Sequence, residues 1–176
     1  EEGGEMTSPH ADEPKRYDYG FDPERKNDTA AAIYRLAIEC GPRVLDVGCG
    51  RGIVSGALVA GGREVIGIDL DPDLLADAAQ CGIQTLEADL SGDWADLVRP
   101  HGPFDVMILA DILEHLEDPG AVLDTIRNEA LLAEGGALIV SIPNASHEAL
   151  VVNLLTDRFD YTDEGLLDRT HIRWFT

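Results

Sequence analysis

Val44-Leu45-Asp46-Val47-Gly48-Cys49-Gly50-Arg51-Gly52 is the stretch that decides the fold. A β-branched-rich run, Arg43–Val47, stops at a glycine, and glycines recur at 50 and 52. Such residues let the chain turn sharply from strand into helix, and let the backbone approach a ligand with no Cβ in the way. The helical segment that follows, Ile53–Ala60, presents its N-terminus to the same spot. A second strand, Glu64–Asp69, ends on a carboxylate 21 residues after Gly48. From that place an acid can accept hydrogen bonds from both hydroxyls of a ribose.

Outward from the loop the same alternation repeats. Asp71-Pro72 reads as an N-cap with proline in the first turn, opening a helix through Gln80. Residues 84–88 form a third, shorter strand. Phe104–Ala110 is a fourth, almost wholly apolar, as a strand buried on both faces should be. Asp118-Pro119 repeats the cap, with Val122, Leu123, Ile126 and Ala130 at helical spacing. Residues 136–142 are the fifth strand, stopped by Pro143. Upstream, 28–39 reads as a helix with Ile33, Leu36 and Ala37 on one face. Five strand–helix alternations with short connections imply right-handed crossovers. The expected fold is α/β, a Rossmann-like doubly wound parallel sheet in order 3-2-1-4-5 that binds ligands beyond the carboxyl ends of its strands.

A chain of 176 residues supports one domain. Residues 1–27 are rich in charge and read as a flexible leader, within which Tyr17, Tyr19 and Phe21 either fold back as a lid or pack on the domain edge; 28–176 is the domain. No apolar run approaches the roughly 18 residues that span a bilayer, and the acidic, polar start is not a secretory signal. The expectation is a soluble, cytoplasmic protein without membrane insertion. With 34 acidic against 13 basic residues the net charge is −21, which disfavours a nucleic-acid partner. Cys40, Cys49 and Cys81 form no CxxC pair, so they read as reduced thiols and indicate no metal site.

Two kinds of ligand suit an acid-terminated second strand. A dinucleotide brings a pyrophosphate, whose usual loop is GxGxxG with a helix dipole behind it. Here the spacing is GxGxG, and Ile53 fills the third glycine's position. Asp46, just before the loop, is poorly placed for a pyrophosphate and suits a ligand with a cationic amine.

The loop resembles motif I of class I S-adenosylmethionine-dependent methyltransferases. Ile66-Gly67-Ile68-Asp69 is similar to their second motif, Glu87-Ala88-Asp89-Leu90 to the segment that holds the adenine, and Phe104-Asp105-Val106 through Asp111-Ile112-Leu113-Glu114-His115 to their fourth-strand motif. The resemblance implies S-adenosyl-L-methionine as cofactor and S-adenosyl-L-homocysteine as product. It implies that Gly48, Cys49, Gly50 and Gly52 cradle the methionine part and ribose, and that Asp46 helps hold the amino end. Asp69 would take the ribose hydroxyls, Leu70 and Leu90 would flank the adenine, Asp89 would accept from its amino group, and Ala110 and Asp111 would meet the methionine moiety.

Transfer to a hydroxyl needs its proton removed, and histidine is the natural base. His10 and His101 read as bland, whereas His115, His147 and His171 should gather at the carboxyl edge of the sheet, with His147 favoured slightly. The tail, Asn144 through His147, then Tyr161, Arg169 and His171 among aromatics, resembles a subgroup associated with glycosyltransferases and similar to ubiquinone-type O-methyltransferases. That resemblance implies a small-molecule or glycan acceptor, in polysaccharide or secondary-metabolite synthesis, with Asn144, Arg169 and Tyr161 as candidate acceptor contacts. The family normally continues past the final Phe-Thr with the elements that complete a seven-stranded sheet, so a C-terminally truncated domain is expected. The competing readings are an NAD-dependent oxidoreductase and a non-catalytic cofactor- or partner-binding module.

Overall fold

The structure, a computed structural model, describes residues 21–176. Tyr17 and Tyr19 lie outside the described residues. Phe21 packs edge-on against Tyr34 at 5.6 Å, and the Arg35 guanidinium donates to the Pro23 carbonyl at 2.6 Å. Residues 21–27, expected in the leader, thus include contacts with the first helix.

In chain order the elements are α1 (Thr29–Ile38), β1 (Arg43–Val47), α2 (Ile53–Ala60), β2 (Glu64–Asp69), α3 (Pro72–Gln80), β3 (Gln84–Glu87), α4 (Trp94–Val98), β4 (Phe104–Ala110), α5 (Pro119–Asn128), β5 (Leu132–Ser141) and α6 (Glu148–Leu155). The strands form one sheet in the order β3-β2-β1-β4-β5, parallel at each pairing. Order and parallelism are those the alternation implied. Three helices start on aspartate caps: Asp28 accepts from the Ala31 N–H, Asp71 from Asp73 and Leu74, and Asp118 from Ala121. Each bond satisfies a donor that the first helical turn leaves orphaned.

Strand alternation sends side chains to two cores. Leu45, Val47, Met107 and Leu109 pack with Trp94, Val98, Val122 and Ile126 from α4 and α5. Val44, Val106 and Ile108 pack on the other face with Ile33, Ala37, Leu58 and Ala78 from α1, α2 and α3. Both faces are covered, hence the near-continuous apolar run of β4.

Several boundaries differ from expectation. Leu36 is 59% exposed, because Ala31, Ile33 and Ala37 define the buried stripe of α1. On α5, Val122 and Ile126 are buried while Leu123 is exposed, and Ala130 lies past the helix with φ +50°. The third strand stops at Glu87. The fifth begins at Leu132 and crosses a register irregularity opposite Phe104 and Val106. Neither α4 nor α6 was legible: α4 is only five residues long, and Val151-Val152 with Leu154-Leu155 gives α6 no clear polar face.

Candidate active site

A cleft of about 590 Å³ opens at the carboxyl ends of β1, β2 and β4. One wall is the glycine loop with Asp69, Leu70 and the turn after β3; the other is the loop after β4 and the start of α5. At the loop, the N–H groups of Gly48 and Cys49 both donate to the Ile68 carbonyl, at 2.8 and 3.0 Å. Asp69 Oδ2 accepts from the Gly50 N–H at 2.8 Å and Oδ1 from the Asp71 N–H at 3.0 Å. The same carboxylate therefore lines the cleft and fixes the loop that faces it.

The three loop glycines are not equivalent. Gly48 lines the cleft. Gly50 has φ +53° and a Cβ there would meet nothing within 4 Å, so it fronts open space. Gly52 caps α2 with φ +72°, and a Cβ would fall 2.3 Å from Ile83 Cδ1. It is absent from the cleft lining and serves the packing of α2 on α3 and β3. Cys49 also turns away, its sulfur seated over Gly67, and burial pushes its thiol up, out of reach of physiological ionisation.

Asp46 shares strand parity with Val44 and so points to the α2 face, where it is 5% exposed and accepts from Ser55 Oγ at 2.6 Å. Burial pushes its carboxyl up to about 6, the nearby Asp69 charge adds to that, and the Ser55 hydrogen bond opposes it. Below pH 3.8 the group is neutral whether folded or unfolded; as pH rises to about 6 the folded state alone retains the proton. Stability is therefore lost through this window, by up to about 3 kcal/mol for a two-unit shift. Asp46→Asn keeps an acceptor for Ser55 and carries no charge. Urea unfolding at pH 7.5 should show the variant more stable than the parent by about 1–3 kcal/mol, with the difference vanishing near pH 4. A variant less stable at pH 7.5 would refute this account.

Asp89 lines the cleft beside Ala88 and Leu90. It accepts from the Ser91 N–H at 2.8 Å and hydroxyl at 2.7 Å, bonds that hold its carboxyl below the usual range. Ile68, Leu70, Ala88 and Leu90 give this wall an apolar strip, while Asp69, Asp89, Glu117 and Asp118 make the rim acidic.

Across the cleft, a short 3₁₀ turn, Leu113–His115, follows β4. His115 lines the cleft. Its Nδ1 lies 3.2 Å from the Thr170 carbonyl. His171 is buried, with Nδ1 3.2 Å from the Leu166 carbonyl and Nε2 4.0 Å from Glu114 Oε1. The two imidazoles meet edge-on at 4.9 Å. Burial, then the neighbouring His171, lowers the His115 pKa. Glu114 is 1% exposed and burial pushes its carboxyl up to about 7. The tail is stitched to this turn: the Ile172 and Arg173 N–H groups donate to the Glu114 carbonyl at 3.0 and 3.1 Å, and the Arg173 guanidinium to the carbonyls of Leu116 and Glu117.

The other expected site residues fall outside the cleft lining. His147 is exposed and caps α6, its Nδ1 accepting from the Ala149 N–H at 3.2 Å. Asp111, at φ +49°, accepts from Ser141 Oγ at 2.9 Å, and Ala110 packs beside the second core. Asn144 caps a turn at Ser146. Arg169 pairs with Asp163 at 2.7 Å, and Tyr161 stacks edge-on with Phe159 at 5.5 Å. Sequence reasoning missed Ser55 as the partner of Asp46, and missed Glu114, Ile112, Leu116 and Glu117 as site residues. Their signal was position, since the loop after β4 lies at the carboxyl edge.

The sequence profile of the methyltransferase domain family matches residues 21–176, and the chain belongs to that family. Its loop, sheet order and cleft place it among class I S-adenosylmethionine-dependent methyltransferases. It is 37% identical over 115 residues to a ubiquinone biosynthesis O-methyltransferase of Xylella fastidiosa, an overlap of 64% of this chain and 46% of the relative. A protein of the same description from Xanthomonas campestris is 34% identical over 148 residues, 81% of this chain and 58% of the relative. The chain thus spans about half the length of these relatives. Among solved structures, an S-adenosylmethionine-dependent methyltransferase of Mesorhizobium loti aligns with TM-score 0.53 and 26% identity, covering 67% of this chain and 55% of that one. One from Archaeoglobus fulgidus shares the fold at TM-score 0.59 and 22% identity, covering 82% and 60%.

Proposed function

We propose that this domain binds S-adenosyl-L-methionine in the cleft between Gly48 and Asp89 and passes its methyl group to a hydroxyl of a small, ring-bearing molecule held beside His115. When bound, the cofactor supplies an activated methyl group on a sulfonium. The observation that carries the reading is the double role of Asp69, which orders the loop through the Gly50 N–H and lines the cleft, where it would take the ribose hydroxyls. The cleft has room for a ligand of this size, an apolar strip for adenine, and an acidic rim that suits a cationic cofactor. The relatives named as O-methyltransferases support a hydroxyl acceptor. Rings running from Phe159 to Trp174 at 5.4 Å, to His171 at 6.0 Å and to His115 at 4.9 Å support a ring-bearing partner, phenol or sugar.

Calorimetry with S-adenosyl-L-homocysteine and with NADH tests the cofactor assignment. The first should bind in the micromolar range, about −8 kcal/mol, and the second should not bind. Asp69→Ala should weaken S-adenosyl-L-homocysteine by about 1.5–3 kcal/mol, the worth of hydrogen bonds to a charged group. Undiminished affinity in that variant removes the ribose assignment.

A further inference from the structure

We propose that Glu114, His115 and His171 form a binding site for a divalent transition-metal ion, of the zinc or manganese kind, on the acceptor side of the cleft. Its role in catalysis rests on the O-methyl-transfer reading; its existence does not. The three side chains each offer a ligand atom, and those atoms lie within 4.8 Å of one another. Around a tetrahedral ion with bonds of about 2.0–2.2 Å, donors sit roughly 3.3–3.6 Å apart, so closure needs the ligand atoms to draw together by up to about 1 Å, within the reach of side-chain rotation. The 4.0 Å between His171 Nε2 and Glu114 Oε1 is close to that spacing, and it is too long for a hydrogen bond.

Glu114 supplies the independent observation. It is 1% exposed and neither carboxylate oxygen has a hydrogen-bond partner. A carboxylate buried without partners is costly and calls for a cation or a proton. The imidazoles are oriented for the cation. Thr170 and Leu166 present carbonyls to the two Nδ1 atoms, and a carbonyl only accepts, so Nδ1 carries the proton and Nε2 keeps its lone pair. The backbone bonds of Ile172 and Arg173 to the Glu114 carbonyl hold both segments in register. Two imidazoles and one carboxylate suit zinc, manganese or cobalt, whereas magnesium and calcium prefer oxygen throughout. His115 lines the cleft, so the open side of the set faces the acceptor. A hydroxyl bound there would be polarised and its proton released to solvent.

The chelator-treated 176-residue chain should be dialysed against Zn²⁺, Mn²⁺ or Mg²⁺ and bound metal measured by emission spectrometry. One equivalent of zinc or manganese per chain is expected, with magnesium near zero. Co²⁺ should give visible absorption bands of a low-coordinate nitrogen–oxygen site. Glu114→Gln and His171→Ala should each weaken binding by about a hundredfold or more, and thermal unfolding checks that each variant folds. If either is unfolded, His115→Ala, at the cleft surface, carries the test. Zinc retained by folded variants, or no metal in the parent, overturns the proposal. S-adenosyl-L-homocysteine affinity, measured on the same samples, separates this outcome from failure of the cofactor reading.

Discussion

His115→Ala lowers turnover by about 10²–10⁴-fold, the range for removing a group that handles the acceptor's proton, while S-adenosyl-L-homocysteine affinity stays within about threefold. His115 is the histidine of the expected three that lines the cleft, and the Thr170 carbonyl leaves Nε2 with the lone pair, which acts on the acceptor's proton directly in the metal-free chain and through the ion it ligates when one is bound. The comparison that gives this meaning is His147→Ala. His147 sits at the start of α6 with its ring nitrogen on the Ala149 N–H, so its loss costs about 0.5–1 kcal/mol of stability, as for a helix cap, and little rate. Single-turnover methyl transfer to a phenol probe and to a sugar-hydroxyl probe would read both variants. If His147→Ala is the slow one, the acceptor enters from the far side of β5 and the assignment falls.

Gly52→Ala carries the largest expected effect on stability. An alanine held at φ +72° costs about 1–2 kcal/mol. Its Cβ also lands 2.3 Å from Ile83 Cδ1 and 3.1 Å from the Ala78 Cβ, both in the packed face under α2 and α3. Overpacking there adds about 1–3 kcal/mol, for a total of roughly 2–5 kcal/mol. Gly50→Ala meets only the conformational cost, because nothing lies within 4 Å of its Cβ. Urea unfolding should rank Gly52→Ala far below Gly50→Ala in stability, and calorimetry should show Gly50→Ala losing cofactor affinity beyond its stability cost. Equal unfolding midpoints would mean that the two glycines serve the same end.

The glycine loop and the elements around it were legible because their signals are compact. Strand ends, caps and glycines between Val44 and Leu90 show in short sequence patterns such as the Asp71 cap, and the longer bonds from the Gly48, Cys49 and Gly50 N–H groups to Ile68 and Asp69 stay within one strand–helix–strand unit. The direction of a buried side chain was less so. Asp46 was read as helping to hold a ligand's amine, and its bond from Ser55, which follows from its alternation with Val47, was not foreseen. On the acceptor half, chain position after a strand placed His115 and His147 alike at the carboxyl edge, and nothing local separates a helix cap from a cleft wall. Glu114 was legible only as part of the fourth-strand motif, because the tail residues Ile172 and Arg173 that bond to its carbonyl come from far along the chain, where no periodicity could point.

The stitching of Ile172 and Arg173 onto the turn after β4 has a consequence for how such a domain is made and varied. The cleft wall of the glycine loop, Asp69 and the turn after β3 needs only residues that leave the ribosome early, within the first two strand–helix–strand units, and N-terminal parts fold first during synthesis. The wall formed by the turn after β4 is closed by bonds between residues 55 to 57 positions apart, so it waits for the tail. Loop closure over that span costs little more than over a shorter one. A different tail can therefore be sewn to the same turn, reshaping one wall of the cleft without disturbing the glycine loop on the other.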